Sequence, residues 1–283
     1  MLKRKIGFIG GGNMAEAMAG ALIRAGVSAA ANLMISDVSP ERLDYLKKAY
    51  GVSTVTNNRD VFLNNDVVIL AVKPQVIDAV LTPLAKLAAE GSGSAARKLI
   101  ISIAAGVPIR KIENRLYAGL DGPAAGRLPL IRVMPNTPAL VMTGMSGMSG
   151  NAHVTAEDKT VAMTILEAIG KVLEFKEEDL DAVTAVSGSG PAYVFYLVEA
   201  MIAAGVSLGL SQADASTLTL QTVKGAVKLL EETGESPETL RRKVTSPGGT
   251  TEAALKVMET QKIKDHLIAA LTAACRRAHE LCG

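Results

Sequence analysis

The sequence has no tryptophan, two cysteines and three histidines, and aromatic residues make up only 3% of its 283 residues. Cys275 and Cys282 are too few for a disulfide framework or for a four-ligand metal site. His153, His266 and His279 are scattered and match no metal-binding spacing. The sequence therefore predicts neither a metal centre nor a disulfide scaffold, and it assigns no role to the two cysteines.

A marked excess of one charge is absent as well. The formal net charge is +2 and no basic tract occurs, which argues against nucleic-acid binding. The chain starts without the charged head and apolar run of a secretory signal. Its longest apolar runs are interrupted by glycine, serine or charged residues, so no membrane-spanning helix is expected. We therefore expect a soluble cytoplasmic protein without a nucleic-acid or membrane partner.

What the sequence does contain is a glycine-rich loop near its start. The apolar run Ile6–Ile9 is typical of a buried strand, and it leads through three glycines into a helix of small residues. Gly10 allows a tight turn, Gly12 lets a pyrophosphate approach bare backbone, and Ala15 lets the helix pack closely on the strand. An acidic residue, Asp37, follows 22 residues after Ala15. This context predicts a dinucleotide site; an empty doubly wound domain is the alternative.

Strand and helix patterns alternate through residues 1–176, after which the strand signal disappears. The fold class is therefore α/β: an N-terminal Rossmann-type doubly wound parallel sheet, followed by an all-α C-terminal domain at residues 177–283. Gly91–Ser94 is predicted to be a surface loop, and Ala118–Arg127 a flexible connection. Ligands of such sheets lie at the carboxyl ends of the strands. That rule selects one rim, composed of Gly10–Ala15, Asp37, Ala71–Pro74, Ala104–Gly106 and Pro135–Pro138.

The C-terminal half is dominated by one unusually apolar helix. A short helix, Glu178–Val186, is predicted to break at Ser187–Gly190, and a second helix runs from Pro191 to about Gly205. This second helix is apolar nearly all round, so it should be buried on every side. A domain of about 107 residues can hardly surround it, which indicates that a second subunit covers it. A monomeric helical bundle remains the alternative.

Another glycine-rich turn, Ser246–Thr251, opens a later helix. Two glycines and two threonines leave several backbone N–H groups at the positive end of that helix, an arrangement that suits a carboxylate. Serine, threonine and glycine also favour plain helix caps, so an ordinary capped turn remains open from the spacing alone.

Taken together, these motifs resemble the pyrroline-5-carboxylate reductase family. The resemblance extends over essentially the whole chain and follows the family order. The matching segments are Gly7–Ala15, Ala71–Gln75, Arg132–Pro138, Ser187–Tyr193 and Ser246–Thr251. It implies reduction of the cyclic imine Δ1-pyrroline-5-carboxylate to L-proline by NADH or NADPH. It further implies a homodimer formed through the helical domain, with dimers sometimes gathered into a larger ring.

The resemblance also implies a role for each site residue. The substrate carboxylate would be held by Ser246, Pro247, Gly248, Gly249, Thr250 and Thr251. Thr251 is the catalytic candidate, because its hydroxyl would orient the ring nitrogen by hydrogen bonding. A basic imine needs little acid catalysis, so positioning should dominate. The cofactor would be held by Gly10, Gly12, Asn13, Met14, Ala15, Ser36, Asp37, Asn58, Ala71, Val72, Lys73, Pro74, Ala104, Ala105 and Gly106.

Asp37 departs from many NADPH-using relatives, which carry a small hydroxyl or amide residue there. Its carboxylate would bond both ribose hydroxyls of NADH and repel a 2′-phosphate, so the sequence predicts a preference for NADH. Arg42 could reduce that repulsion if its side chain moved over the site.

Two other functions remain to be weighed. A β-hydroxyacid dehydrogenase has a similar start but needs a lysine on the long helix after the domain junction, and no lysine occurs between Lys176 and Lys224. A protein that binds NAD(P) as a sensor or scaffold, without turnover, would carry the same motifs.

Overall fold

The structure is a computed structural model that describes residues 2–90 and 97–282. The chain divides into two compact units. The first consists of Met1–Gly188 together with Cys275–Gly283, and the second is Ser189–Ala274. The predicted surface loop Gly91–Ser94 lies outside the described residues.

The first unit is built on an eight-stranded sheet in the order β3-β2-β1-β4-β5-β6-β7-β8. All neighbouring strands are parallel except β6 and β7, which are antiparallel. The strands are β1 Ile6–Ile9, β2 Leu33–Ser36, β3 Ser53–Val55, β4 Val67–Leu70, β5 Leu99–Ser102, β6 Leu130–Met134, β7 Gly144–Gly150 and β8 Gly170–Glu174. The predicted doubly wound, mostly parallel sheet is confirmed.

Eight α-helices accompany these strands among the described residues of the first unit. They are α1 Asn13–Arg24, α2 Pro40–Tyr50, α3 Asn58–Asn64, α4 Ile77–Ala89, α5 Ile109–Leu116, α6 Gly122–Gly126, α7 Ala156–Glu167 and α8 Leu180–Val183. Local sequence explains several of their ends. Ser39 caps α2 by accepting the Arg42 N–H, with Pro40 at the first helical position. Thr155 and Asp158 form a capping box at α7.

The sheet carries an apolar core on each face, as expected for parallel strands covered on both sides. On β1, Ile6 and Phe8 join a cluster with Leu22 of α1, whereas Ile9 points to the other face and joins Leu81 of α4. All five side chains are fully buried. Burial of this kind contributes about 1.5–3 kcal/mol per large aliphatic or aromatic side chain, so the first unit holds its own core.

Two elements of this unit differ from what the sequence predicts. The sequence does not predict the strand β7, because the segment Gly-Met-Ser-Gly-Met-Ser-Gly lacks the β-branched residues that favour strands. It forms because it pairs with β6 on one side and β8 on the other. The connection Ala118–Arg127 contains a short helix, α6, which Asp121 caps by accepting the Ala124 N–H.

The second unit is entirely helical over its described residues. Its helices are α9 Gly190–Ser207, α10 Gln212–Thr233, α11 Pro237–Lys243, α12 Thr250–Thr260 and most of α13 Ile263–Cys282, whose last turns belong to the first unit. Ser211 caps α10 by accepting the Asp214 N–H, and Gly234 ends it in the left-handed conformation. No residue of α9 is buried within the single chain.

The α-helical pattern is interrupted around Ser187–Gly190 as predicted, because α8 ends at Val183 and Ser189 lies outside any helix as the N-cap of α9. A short 3₁₀ turn, α8 and a π-turn at Thr184–Gly188 lead almost directly into α9. Ser187 and Gly188 lie in the π-turn, Ser189 is the N-cap of α9, and Gly190 is its first residue. Such π-turns are often found at functional sites. As a result, Glu177–Ser207 is, by length and composition alone, one described helical stretch long and apolar enough to cross a membrane. The sequence did not predict this stretch, because its small residues indicated a break.

Candidate functional site

The glycine loop between β1 and α1 has the geometry that the sequence predicts. Gly10 has φ +101°, and a Cβ atom there would lie 2.6 Å from the Ala71 carbonyl oxygen. Gly12 is the N-cap of α1, receives no side-chain cap, and has no atom within 4 Å of the position of a Cβ. The positive end of α1 therefore opens onto free space, which fits a pyrophosphate. Behind it, Ala15 is fully buried, Met14 is half-buried and Asn13 is exposed.

Asp37 follows β2 directly and is tied to this loop. Its Oδ2 accepts the Gly11 N–H at 2.7 Å, and its Oδ1 accepts the Ser39 N–H at 3.0 Å. Each oxygen keeps a further lone pair. The carboxylate is thus held in a fixed orientation beside the glycine loop, on the rim where β2 ends.

Ser36 and Asn58 occupy a more enclosed position. Ser36 is fully buried, and its hydroxyl donates to the Asn58 side-chain oxygen at 2.8 Å. Asn58 is the first residue of α3, and its amide is fixed by this bond. The two residues are therefore neighbours, and Asn58 is the more exposed of the pair.

The ends of β4 and β5 bring the remaining cofactor candidates to the same rim. Ala71 donates its N–H to the Ile9 carbonyl at 2.8 Å, so it lies beside Gly10. Val72 and Pro74 are half-buried and Lys73 is exposed. On the next strand, Ala104 is buried and Ala105 exposed, while Gly106 adopts φ +70°. Because β1, β4 and β5 are parallel neighbours in register, these three loops follow each other along one edge.

A charged cluster that no sequence motif indicated lies against the glycine loop. Glu16 of α1 pairs with the Arg42 guanidinium, and its other oxygen accepts the hydroxyls of Tyr45 and Tyr50 at 2.9 Å each. Burial alone would raise the pKa of Glu16, but the hydrogen bonds from Arg42 and the two tyrosines outweigh it and hold the pKa below its usual value. Burial and the bond to Glu16 raise the pKa of Tyr50 to about 12.

The end of β6 is connected to the junction before α9. Asn136 donates its amide to the Ser187 carbonyl at 3.1 Å and accepts the Met145 N–H at 2.8 Å. Ser187 lies in the π-turn. The predicted rim segment Pro135–Pro138 therefore holds the segment that leads into the helical unit.

A second connection starts at Arg132, inside β6. This buried guanidinium donates to Glu177 at 3.1 Å and to the sulfur of Cys282 at 3.4 Å, and it lies 3.9 Å from Asp181. Burial raises the pKa of the Cys282 thiol. His279 also approaches Asp181, with Nδ1 3.2 Å from Oδ2. Cys282 contacts Arg132, and His279 contacts Asp181. These pairs lie about 100 to 150 positions apart in the chain, so no motif in the sequence could predict them.

The turn Ser246–Thr251 opens α12 in the second unit. Gly248 has φ +70°, and Gly249 is an N-cap without a side-chain cap. The Gly248 N–H binds the carboxylate of Glu252 at 2.8 Å, and a Cβ on Gly249 would lie 2.5 Å from the Ser246 hydroxyl oxygen. The turn borders a cavity of about 660 Å³ lined by Gly248, Gly249, Glu252, Ala253, Lys256 and three neighbours. The Gly248 N–H can therefore donate to a carboxylate, and here Glu252 occupies it.

The predicted site residues thus form two groups on two units. The cofactor candidates share one rim of the first unit, and the substrate candidates share one turn of the second unit, where Pro247 and Thr250 are exposed and Thr251 is half-buried. Within the described residues, no group of three or more His, Cys, Asp or Glu side chains could hold a metal ion.

Known protein families and individual proteins match the sequence of this chain. A family model described as pyrroline-5-carboxylate reductase dimerisation matches residues 177–281, and one described as NADP oxidoreductase, coenzyme F420-dependent, matches residues 5–106. A pyrroline-5-carboxylate reductase from Synechocystis sp. is 43% identical over 277 residues, which cover 98% of both chains.

Solved structures are similar over the full chain as well. A pyrroline-5-carboxylate reductase structure from Coxiella burnetii is 41% identical, with a TM-score of 0.88 and full coverage of both chains. A Plasmodium falciparum pyrroline carboxylate reductase, solved with NADP bound, is 32% identical, with a TM-score of 0.86 and full coverage.

Proposed function

The chain belongs to the pyrroline-5-carboxylate reductase family, and we infer that it reduces Δ1-pyrroline-5-carboxylate to L-proline, the last step of proline biosynthesis. It is an oxidoreductase that uses NADH or NADPH. When bound, the reduced nicotinamide supplies the hydride for the C=N bond of the cyclic imine. This inference depends on one observation: the N-terminus of α1, which follows Gly10 and Gly12, has no side-chain cap and is open. The sequence match to the family extends over 98% of the chain.

The glycine loop would hold the cofactor pyrophosphate. Its contribution is electrostatic, since the N–H groups at the start of α1 carry a partial positive charge. The loops Ala71–Pro74 and Ala104–Gly106 would flank the nicotinamide ribose, and Asn58 would lie near the adenosine end. Their positions on the same rim support these assignments.

The turn Ser246–Thr251 would hold the substrate carboxylate through backbone N–H groups. Thr251 would orient the ring nitrogen by hydrogen bonding, without acting as a strong acid. Because the imine is basic enough to be protonated in water, the protein mainly needs to hold the two reactants in the reactive geometry. The Gly248 N–H binds the Glu252 carboxylate in the single chain, so a substrate carboxylate that uses this N–H would displace Glu252 from it.

We propose that Asp37 makes the protein prefer NADH over NADPH. Its carboxylate is fixed at the end of β2 by two backbone N–H groups and would accept the ribose hydroxyls, while repelling a 2′-phosphate. The kcat/KM values for NADH and NADPH test this assignment. A tenfold advantage for NADPH would refute it.

The protein forms a homodimer through its helical part. A second subunit over α9 would remove its exposed apolar side chains from water and would explain an apolar helix in a soluble, cytoplasmic enzyme. We further propose that dimers gather into a larger ring, and that the functional boundary between the cofactor domain and the dimerisation domain lies at residues 176 and 177.

An imine-reduction assay that follows the nicotinamide absorbance tests the function. Thr251→Ala should lower kcat/KM about tenfold, as expected for one lost hydrogen bond. Gly249→Val should be worse, because its Cβ would collide with Ser246 and close the turn. Thr260→Ala removes a threonine at the other end of α12, where its hydroxyl bonds the Lys256 carbonyl, and serves as the control.

The same assay separates the alternatives. Turnover of 3-hydroxy acids but not of the imine would indicate a β-hydroxyacid dehydrogenase. Binding of the cofactor without turnover of either substrate would indicate a sensor or scaffold protein.

A further inference from the structure

Four side chains form a compact charged cluster beside the glycine loop: Glu16, Arg42, Tyr45 and Tyr50, here called the Glu16 cluster. Arg42 is held on three sides. Its Nη2 pairs with Glu16, its Nε donates to the Gly11 carbonyl at 2.5 Å, and its guanidinium lies 5.2 Å from the centre of the Tyr45 ring. About a quarter of the Arg42 side chain and a sixth of the Glu16 side chain remain exposed.

The Glu16 cluster and Asp37 meet at the same residue. The Gly11 carbonyl accepts from Arg42, while the Gly11 N–H donates to Asp37. A cation and an anion therefore flank one residue of the loop from two sides. Arginine is the side chain that best matches a phosphate, because its planar donors bind two oxygens at once. In a dinucleotide fold, such an arginine near the ribose accommodates a 2′-phosphate.

We propose that Glu16 is a specificity-determining residue, which selects against NADPH by holding Arg42 away from the 2′-phosphate. This inference rests on the proposed function of Asp37 and deepens it. Asp37 repels the 2′-phosphate. Glu16 keeps Arg42 paired, so that Arg42 cannot compensate for this repulsion.

The contacts of Glu16 explain why the Arg42 side chain does not move toward the 2′-phosphate. One Glu16 oxygen pairs with Arg42 while the other accepts two tyrosine hydroxyls, so the carboxylate has a single favoured orientation. The pair is mostly out of water, where charge-assisted hydrogen bonds are strong. A 2′-phosphate must break this pairing before it can use Arg42, and an uncompensated Glu16 carboxylate would be left in the half-buried site.

The test measures dissociation constants for NADPH and NADH by isothermal titration calorimetry. Glu16→Gln keeps the shape and an acceptor for the tyrosines but removes the charge that holds Arg42. We expect NADPH to bind about tenfold more tightly to this variant, the effect of one freed charge-assisted contact. Binding of NADH should change less than twofold. The gain for NADPH should vanish in the double variant Glu16→Gln with Arg42→Ala.

The control is Tyr45→Phe, which keeps the ring beside Arg42 and the Glu16–Arg42 pair, and should leave the ratio of the two dissociation constants within twofold. Equal changes for both cofactors in Glu16→Gln would overturn the inference and give the pair a structural role only. A gain for NADPH that persists in the double variant would overturn it too, since loss of a negative charge would then suffice.

Failure of the Asp37 assignment is a separate result. If the unaltered protein bound NADPH more tightly than NADH, Asp37 would not be the selective residue. The change in the ratio produced by Glu16→Gln would still decide whether Glu16 controls Arg42. Because binding is measured without substrate, the outcome does not depend on turnover of the imine.

Discussion

The two units of this chain differ in the number of residues that are buried within the single chain. In the first unit, whole strands such as β1 and β4 are inaccessible, and buried charges such as Arg132 and Asp158 have partners. In the second unit, Ala215 and Thr219 are the buried residues among 189–274. One part of the molecule completes its core alone, and the other does not.

This contrast supports the proposal that a second copy of the chain covers the helical unit. α9 alone presents Val194, Phe195, Tyr196 and Leu197, each about half to three-quarters exposed in the single chain. Contiguous apolar surface of this kind marks an interface. The stability of the helical unit should therefore depend on protein concentration, while the stability of the first unit should not.

The largest expected effect comes from a charge on α9. Phe195→Glu should weaken the dimer more than about a hundredfold, because an unpaired carboxylate would be buried in the interface. Sedimentation velocity measures the monomer fraction. The matched control, Leu173→Glu, changes a similarly exposed residue on the edge strand β8 and should leave the dimer intact. A dimer that survives Phe195→Glu would contradict the assignment of α9.

The next effect concerns the stability of the two units. Phe8→Ala removes a fully buried ring from the core of the first unit and should cost about 3–5 kcal/mol of unfolding free energy. Denaturant unfolding at two protein concentrations measures it, and the loss should be the same at both. By contrast, the loss caused by Phe195→Ala should grow on dilution, where the dimer dissociates. Equal concentration dependence for both variants would mean that the two units do not differ in this respect.

Asp158 gives a smaller effect that depends on pH. Burial would raise the pKa of Asp158, but Arg97 and the Thr155 cap lower it below its usual value. Its carboxylate therefore stabilises the fold above the pKa of the unfolded chain, and this contribution is lost as pH falls through the lower folded pKa. Asp158→Asn should cost about 2 kcal/mol at neutral pH, as for the loss of a hydrogen bond to a charged group, with the difference shrinking in acid. Denaturant unfolding across a pH series measures this cost.

The exposed neighbour Glu157 provides the control for that measurement. Its carboxylate is 74% exposed and pairs with Arg4 at the surface. Glu157→Gln should change the unfolding free energy by less than about 0.5 kcal/mol at every pH, as is usual for surface pairs. A gap between Asp158→Asn and the unaltered protein that widened in acid would contradict the sign given for Asp158.

The smallest effect lies on the second unit. Lys228 and Glu232 form an exposed pair one turn apart on α10, 3.4 Å from nitrogen to oxygen. Lys228→Ala should cost only about 0.3 kcal/mol, and less in high salt. Thermal unfolding at low and high salt measures it. A cost above about 1 kcal/mol would mean that the pair is covered in the assembled protein.

Features fixed by neighbouring residues could be predicted from the sequence. The elbow at Gly10, the caps at Ser39 and Ser211, and the ends of β6 follow from turn chemistry and from local patterns of apolar residues. The carboxyl ends of parallel strands then brought the cofactor candidates to one rim. Each of these inferences needs only a few adjacent residues or one topological rule.

Features made by distant residues could not be predicted. β7 has no strand-forming composition and exists only through its two neighbours. The Glu16 cluster joins residues 26 to 34 positions apart, and Arg132 reaches Cys282 across 150 positions. The π-turn at Thr184–Gly188 is bound by the Asn136 amide, which donates to the Ser187 carbonyl from 51 positions away. In each case tertiary contact, not local preference, decides the structure.

The last turns of α13 carry a practical consequence for anyone handling this protein. Because Cys282 contacts Arg132 and His279 contacts Asp181, residues 275–282 are an integral part of the first unit, and residues 189–274 are an insertion within it. Expressing residues 1–188 by themselves would remove residues 275–282 from the first unit. Arg132 would then lose its contact with Cys282.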